Sequence, residues 1–169
     1  GVPQARQQLA CLFWPDTTDA KARSNFRTLF HRLRQTLPNA DRFLLFDAHH
    51  VQWRRDGPFC LDVADFEAAL AAASSSDSLQ AALDLYTGDL LPSCYDEWIM
   101  PARERLHQLF LESLQRLVSQ QEAQRQFKPA LRNAQRLLRA DPLHEAGHRC
   151  LMRLHLANGD RAGALRAYH

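Results

Sequence analysis

The sequence has no apolar run approaching the roughly 20 residues of a membrane-spanning helix, and its first residues lack the basic and apolar regions of a signal peptide. The expected compartment is therefore the cytoplasm, with no membrane partner. No Gly-rich phosphate loop, no Gly-x-Ser-x-Gly elbow and no paired-carboxylate cleft can be read from it, which removes the usual signatures of an enzyme. The four cysteines, Cys11, Cys60, Cys94 and Cys150, form no Cys-x-x-Cys pair. Their spacing opposes a metal site, and they read as reduced, partly buried thiols. No cofactor and no metal is expected. Aromatic residues interleaved with basic ones, as single-strand stacking needs, are also missing; Trp14, Trp53 and Trp98 read as core or domain-interface anchors. An initiator Met is absent and the chain stops at Tyr168-His169 inside an apparent helix, so it reads as a piece of a longer protein.

What is present is an ordinary globular composition, 46% hydrophobic and 24% charged, in a length that holds one good core or two small domains. The net charge of +2 is unevenly spread. Residues 1–56 contain nine Lys/Arg (Arg6, Lys21, Arg23, Arg27, Arg32, Arg34, Arg42, Arg54, Arg55) and five Asp; nine minus five is +4, which leaves −2 for the rest. A basic front beside a faintly acidic rear fits a nucleic-acid-binding module joined to something else.

Residues 4–13 read as a short helix with Leu9, Leu12 and Phe13 inward, ended by Trp14-Pro15-Asp16. Thr17, Thr18 and Asp19 offer cap oxygens to a second helix over residues 20–37, which Pro38 stops. Ala22, Phe26, Leu29, Phe30, Leu33 and Leu37 recur at spacings of three and four and form its inward face. At about 100° per residue, the opposite face carries Ser24, Arg27, Thr28, His31 and Gln35. Arg23 and Arg34 flank that face on one side, Lys21 and Arg32 on the other, and no acid lies between Ala20 and Asn39. A solvated helix normally mixes both signs, so this face suits a DNA groove, with a plain surface helix as the alternative. Residues 42–46 and 51–54 read as two short strands around Asp47-Ala48-His49-His50, a hairpin without a turn glycine.

Asp56-Gly57-Pro58 breaks the pattern and divides a first domain, 1–56, from a second, 57–169. Helices are expected over residues 64–73 and 78–86, with Ser74-Ser75-Ser76-Asp77 as the turn between them. Leu79, Leu83 and Tyr86 form an apolar helix end that Gly88 stops. The corner that follows, with Leu90, Leu91, Pro92, Tyr95 and Trp98, is too apolar to hang in water and reads as folded onto its neighbours. Asp96 and Glu97 are expected to cap the helix behind Pro101, which runs over residues 102–124 with Leu106, Leu109, Phe110, Leu114 and Leu117 inward. Two more helices are expected, over 128–140 and 143–157, separated by Asp141-Pro142. Ala130-Leu131 and Ala164-Leu165 stand 34 residues apart, each after a helix-helix turn, with Ala82-Leu83 as an earlier copy; this is the tetratricopeptide period.

Gly88-Asp89-Leu90-Leu91-Pro92, Tyr95-Asp96-Glu97-Trp98 and Arg103-Glu104-Arg105-Leu106 together resemble the signature of the bacterial transcriptional activator domain of antibiotic-regulatory-type regulators. The resemblance runs from about Asp62 to the last residue. Leu12-Phe13-Trp14-Pro15-Asp16 and Leu29-Phe30-His31-Arg32-Leu33-Arg34 are similar to stretches of the response-regulator-type winged helix of that family, whose opening strands and first helix are missing here. The resemblance implies a mainly α fold: a partial winged helix with a β-hairpin, followed by tetratricopeptide-like helical repeats. It also implies a transcriptional regulator, with double-stranded DNA as one partner. Arg23, Ser24, Arg27, Thr28, His31, Arg32, Arg34 and Arg54 are the expected DNA-binding residues, with Arg42 beside the hairpin. The repeats would meet RNA polymerase, a sensor domain or a second copy in a homodimer. An interaction scaffold inside a larger signalling ATPase or cyclase is the alternative.

His144-Glu145-Ala146-Gly147-His148 satisfies the His-Glu-x-x-His pattern of zinc proteases. It follows Asp141-Pro142 in a repeat helix that Gly147 weakens, and its downstream third ligands are limited to His155, Asp160 and His169, so it reads as a chance match. His49 and His50 are expected to face solvent.

Overall fold

A computed structural model describes residues 2–54, 56–57 and 59–167. Arg55 of the basic count, Pro58 of the domain break, and Tyr168 and His169 at the chain end lie outside the described residues. The fold is mainly α with a small antiparallel sheet near its start. It divides into two units, Gly1–Cys60 and Leu61–His169.

The first unit opens with a strand, not a helix. β1 (Gln4–Ala5) precedes α1 (Arg6–Phe13), so the helix expected over 4–13 gives up its first turn. β2 (Leu44–Phe46) and β3 (His50–Trp53) form the hairpin, and β1 adds to the other edge of β3 in the order β1-β3-β2. Gln4 lies opposite Val51 and Ala5 opposite His50, and the backbone N–H of Arg6 donates to the His49 carbonyl at 2.8 Å. The unpaired edge of β3 outweighs the helical preference of two residues. Arg42 and Phe43 were expected in the strand, but Arg42 closes a 3-10 turn (Ala40–Arg42) and β2 starts at Leu44.

α2 (Asp19–Thr36) packs its Ala22 against Ala10 of α1, in a core completed by Phe26, Leu44 and Val51. Phe26 stacks on Phe30 at 5.7 Å, and Phe30 meets Phe46 edge-on at 5.3 Å. This aromatic row takes the sheet side of α2. Leu29 and Leu33, expected inward, lie off that row and stay 45% and 39% exposed. Leu12 and Phe13 of α1 are likewise exposed, because the close crossing of the helices needs the small Ala10 inward and turns Leu12 outward. Cys11 on the same outer side and Cys60 are exposed rather than partly buried. No side chain caps α2; the Thr17 hydroxyl instead donates to the Trp14 carbonyl at 3.1 Å and closes the preceding turn.

The second unit comprises α3 (Asp62–Ala72), α4 (Ser76–Asp84), α5 (Met100–Ala123), α6 (Phe127–Ala140), α7 (Glu145–Ala157) and α8 (Arg161–Arg166). Ser75 and Ser78 form a reciprocal capping box that starts α4 earlier than the serine run suggested. Leu79, Leu83, Leu114, Leu117, Leu137 and Leu154 are fully enclosed. The alanines of the repeat, Ala82, Ala130 and Ala164, are all buried, as close helix crossings require. Asn133 donates to Gln80 at 2.8 Å and Gln121 at 3.0 Å, which satisfies the polar atoms between α4, α5 and α6.

The corner before α5 is pinned differently from expectation. α4 ends at Asp84, and the left-handed residue of this segment is Leu91 (φ 47°), while Gly88 has no positive φ. Leu90 packs on the core, but Leu91 is exposed and Tyr95 is 88% exposed. What holds the corner is polar: the Arg103 guanidinium donates to the carbonyls of Leu90 (3.0 Å), Leu91 (2.7 Å) and Cys94 (3.0 Å). Asp96 caps no helix; its carboxylate accepts from the Trp98 indole at 3.3 Å. Among the described residues no helix is long and apolar enough to cross a membrane.

Candidate nucleic-acid interface

The polar face of α2 is built by subtraction. The aromatic row fixes which side of the helix turns inward, and the geometry of 3.6 residues per turn then sends Arg23, Ser24, Arg27, Thr28, His31, Arg32 and Arg34 outward, all exposed. The side chains of Arg23, Arg27, His31 and Arg32 have no hydrogen-bond or ion-pair partner among the described residues. Four polar side chains of one helix, three of them guanidinium groups, thus stand in water without a neutralising acid. A guanidinium, more weakly hydrated than an ammonium, gives up water at little cost and gains a phosphate when a polyanion arrives.

The remaining expected residues are already engaged. The Thr28 hydroxyl donates to the Ser24 carbonyl one turn back, at 3.2 Å, so what it still offers is an acceptor lone pair. Arg34 pairs with Asp41 at 3.3 Å and lies over the Phe46 ring at 4.3 Å. Arg54 is half-buried and bonded to both oxygens of Asp56, at 3.3 and 3.2 Å. The Asp56 carboxylate pushes the Arg54 guanidinium further up from its ordinary pKa, and Arg54 in return lowers that of Asp56. The structure therefore separates the expected set into an unpaired group on α2 and two arginines tied to the hairpin.

Three residues beside this face were not singled out as contacts in the sequence: Arg6, His49 and His50. With Arg23 and Arg27 they line a cleft between the start of α1, α2 and the hairpin turn. His49 and His50 are exposed, as expected. The Asp47 carboxylate accepts from the backbone N–H groups of His49 (2.6 Å) and His50 (2.7 Å), which lowers its pKa, and lies 3.6 Å from His50 Nδ1. No periodicity could have placed Arg6 here, because its position follows from the pairing of β1 with β3.

The His-Glu-x-x-His residues are put to structural use. His144 caps α7, its Nδ1 accepting from the Gly147 N–H at 2.9 Å, while the His148 ring bonds the Pro142 carbonyl at 2.9 Å. His155 bonds Asp160 at 3.0 Å. Among the described residues no group of three His, Cys, Asp or Glu side chains could share a metal ion. Gly147 sits at a tight crossing, where an added methyl would come within 2.9 Å of Leu138.

No curated protein sequence matches the chain. A family model does, over residues 59–169, which takes in all of α3 to α8 and the Arg103-pinned corner. On that match, spanning well over half its length, the chain belongs to the bacterial transcriptional activator domain family.

Proposed function

We propose that the chain is part of a cytoplasmic DNA-binding transcriptional regulator that acts by binding, without chemistry of its own. Residues 1–56 serve as the rear of a winged helix and residues 57–169 as the activator domain. α2 enters the major groove of duplex DNA with Ser24, Arg27, Thr28 and His31 nearest the base edges. Arg23 and Arg32 meet phosphates and supply affinity with little sequence information. Arg34 and Arg54 contribute less, each being held by an acid of the chain. The helical repeats carry contacts to RNA polymerase, to a sensor domain or to a second copy.

The observation that carries this reading is the run of exposed, unpaired Arg23, Arg27, His31 and Arg32 on one face of α2, in a chain whose remainder belongs to an activator family. A salt titration of duplex binding tests it. Replacing Arg23 and Arg32 together by alanine should flatten the plot of log Kd against log salt by about 1.8, from about 0.9 per lost phosphate contact. An unchanged slope would remove α2 from the interface.

A further inference from the structure

The cleft beside α2 has a chemistry of its own. Its volume is about 560 Å³, and its lining includes Arg6, Arg23, Arg27, His49 and His50 but no acid. Guanidinium groups that share a cleft repel one another, and that repulsion is relieved when an anion with several oxygens enters. Arg6 is already set for such an anion. Its guanidinium lies over the rings of Phe26 and Phe30, at 5.7 and 5.9 Å, and Nη1 donates to the Asp47 carbonyl at 3.0 Å. Those contacts immobilise the group while Nε and Nη2 remain available, so little side-chain entropy is lost when they bind. Arg23 and Arg27, unpaired and exposed, come from α2 on the opposite wall. His49 and His50 come from the hairpin; the Asp47 carboxylate accepts from their backbone N–H groups and also lies 3.6 Å from His50 Nδ1.

We infer that this cleft is a phosphate site in which Arg6 is the fixed ligand and Arg23 closes over the anion, with Arg27 at the border between that phosphate and the base edges. Its occupant is a backbone phosphate of duplex DNA, next to the groove that α2 enters. The source of the phosphate rests on the function proposed above; the anion chemistry does not. The site gives Arg6 and Arg23 a shared partner and makes the start of α1 part of the interface. It fixes how the hairpin turn is set along the duplex, since one phosphate is held by groups from three elements.

The test follows the backbone amides of the 169-residue chain by NMR while a short mixed-sequence duplex, or separately inorganic phosphate, is added. Both probes should move the amides of residues 5–7 and 48–50. Arg6→Gln should weaken duplex binding roughly tenfold and lower the salt slope by about 0.9, with Arg6→Lys restoring part of the affinity. Paired replacement of His49 and His50 by glutamine, whose side chains are both exposed, repeats the test without touching the core. Undiminished duplex affinity and slope in both variants overturn the cleft and leave the α2 reading intact. Shifts with inorganic phosphate but none with duplex support the cleft with a free anion as its ligand, and overturn the DNA reading. No shift with either probe overturns the site.

Discussion

The two units bury their apolar residues to different depths, and the contrast explains their division of labour. In the second unit Leu79, Leu83, Leu114, Leu117, Leu137 and Leu154 are sealed, because the helices that carry them, α4 to α7, each lie between two others. The first unit has a thin core of Ala10, Ala22, Phe26, Leu44 and Val51, and leaves Leu12, Phe13, Leu29 and Leu33 in contact with water. A short sheet and two helices cannot enclose every apolar side chain that they carry. The unit with the deep core spends its polar groups on internal ties such as Asn133 and Arg103. The shallow one keeps Arg23, Arg27 and Arg32 unpaired on one face of α2. The deep core lies in the repeats, and the unpaired cations lie in the front.

The largest test of this contrast is a pair of truncations. Leu114→Ala in α5 should destabilise the second unit by about 2–5 kcal/mol, the range for a sealed leucine, whereas Leu33→Ala in α2 should cost under about 1 kcal/mol. Hydrogen exchange resolved by peptide reads the two units separately, and equal losses would break the comparison. Next in size, Gly163→Ala would put a methyl 2.2 Å from the Asp160 carboxylate and 2.4 Å from His155 Nδ1. The His155–Asp160 contact must open, and loss on the order of 1–3 kcal/mol should appear in α7 and α8 with α5 unaffected. Arg103→Met should release three corner carbonyls and raise exchange over residues 90–96, by an opening of about 1–3 kcal/mol, while leaving duplex binding unchanged.

The smallest effect is a pH dependence. Glu122 receives two bonds from Arg153, both 2.7 Å, and that hydrogen-bonded guanidinium lowers its pKa from the ordinary 4.5. A depressed folded-state value means stability that is present above pH 4.5 and lost as pH falls through the lower folded value. Glu122→Gln should therefore lower the stability of the second unit slightly near neutral pH, leave it unchanged at acid pH, and so remove part of its acid sensitivity. A denaturation midpoint measured across pH 3–6 that is parallel in both proteins would assign the sensitivity elsewhere. The first unit should not respond to this substitution.

The long helices were legible because burial enforces their period. Over α5 the expected Leu106, Phe110, Leu114 and Leu117 are buried, and the alanines of the 34-residue repeat mark its crossings. The front was less legible. Nothing in Gln4-Ala5 distinguishes a strand from a helix turn until the free edge of β3 is there to pair with it. Leu29 and Leu33 match the inward period as well as Phe30 does, and the shape of the partner decides among them. The corner misled through composition: Tyr95 stands in water although it is aromatic, because guanidinium bonds from Arg103 fix the backbone without help from that ring.

By itself, the order of residues determined the mainly helical class, the repeat period and the acid-free face of α2, since each depends on local spacing along one element. Tertiary structure alone decided which cations on that face stay unpaired and that Arg6 joins Arg23 and Arg27 in one cleft. Those outcomes depend on distances between residues far apart in the chain, such as the 3.0 Å bond from Arg6 to the Asp47 carbonyl, and no periodicity along a single helix encodes them.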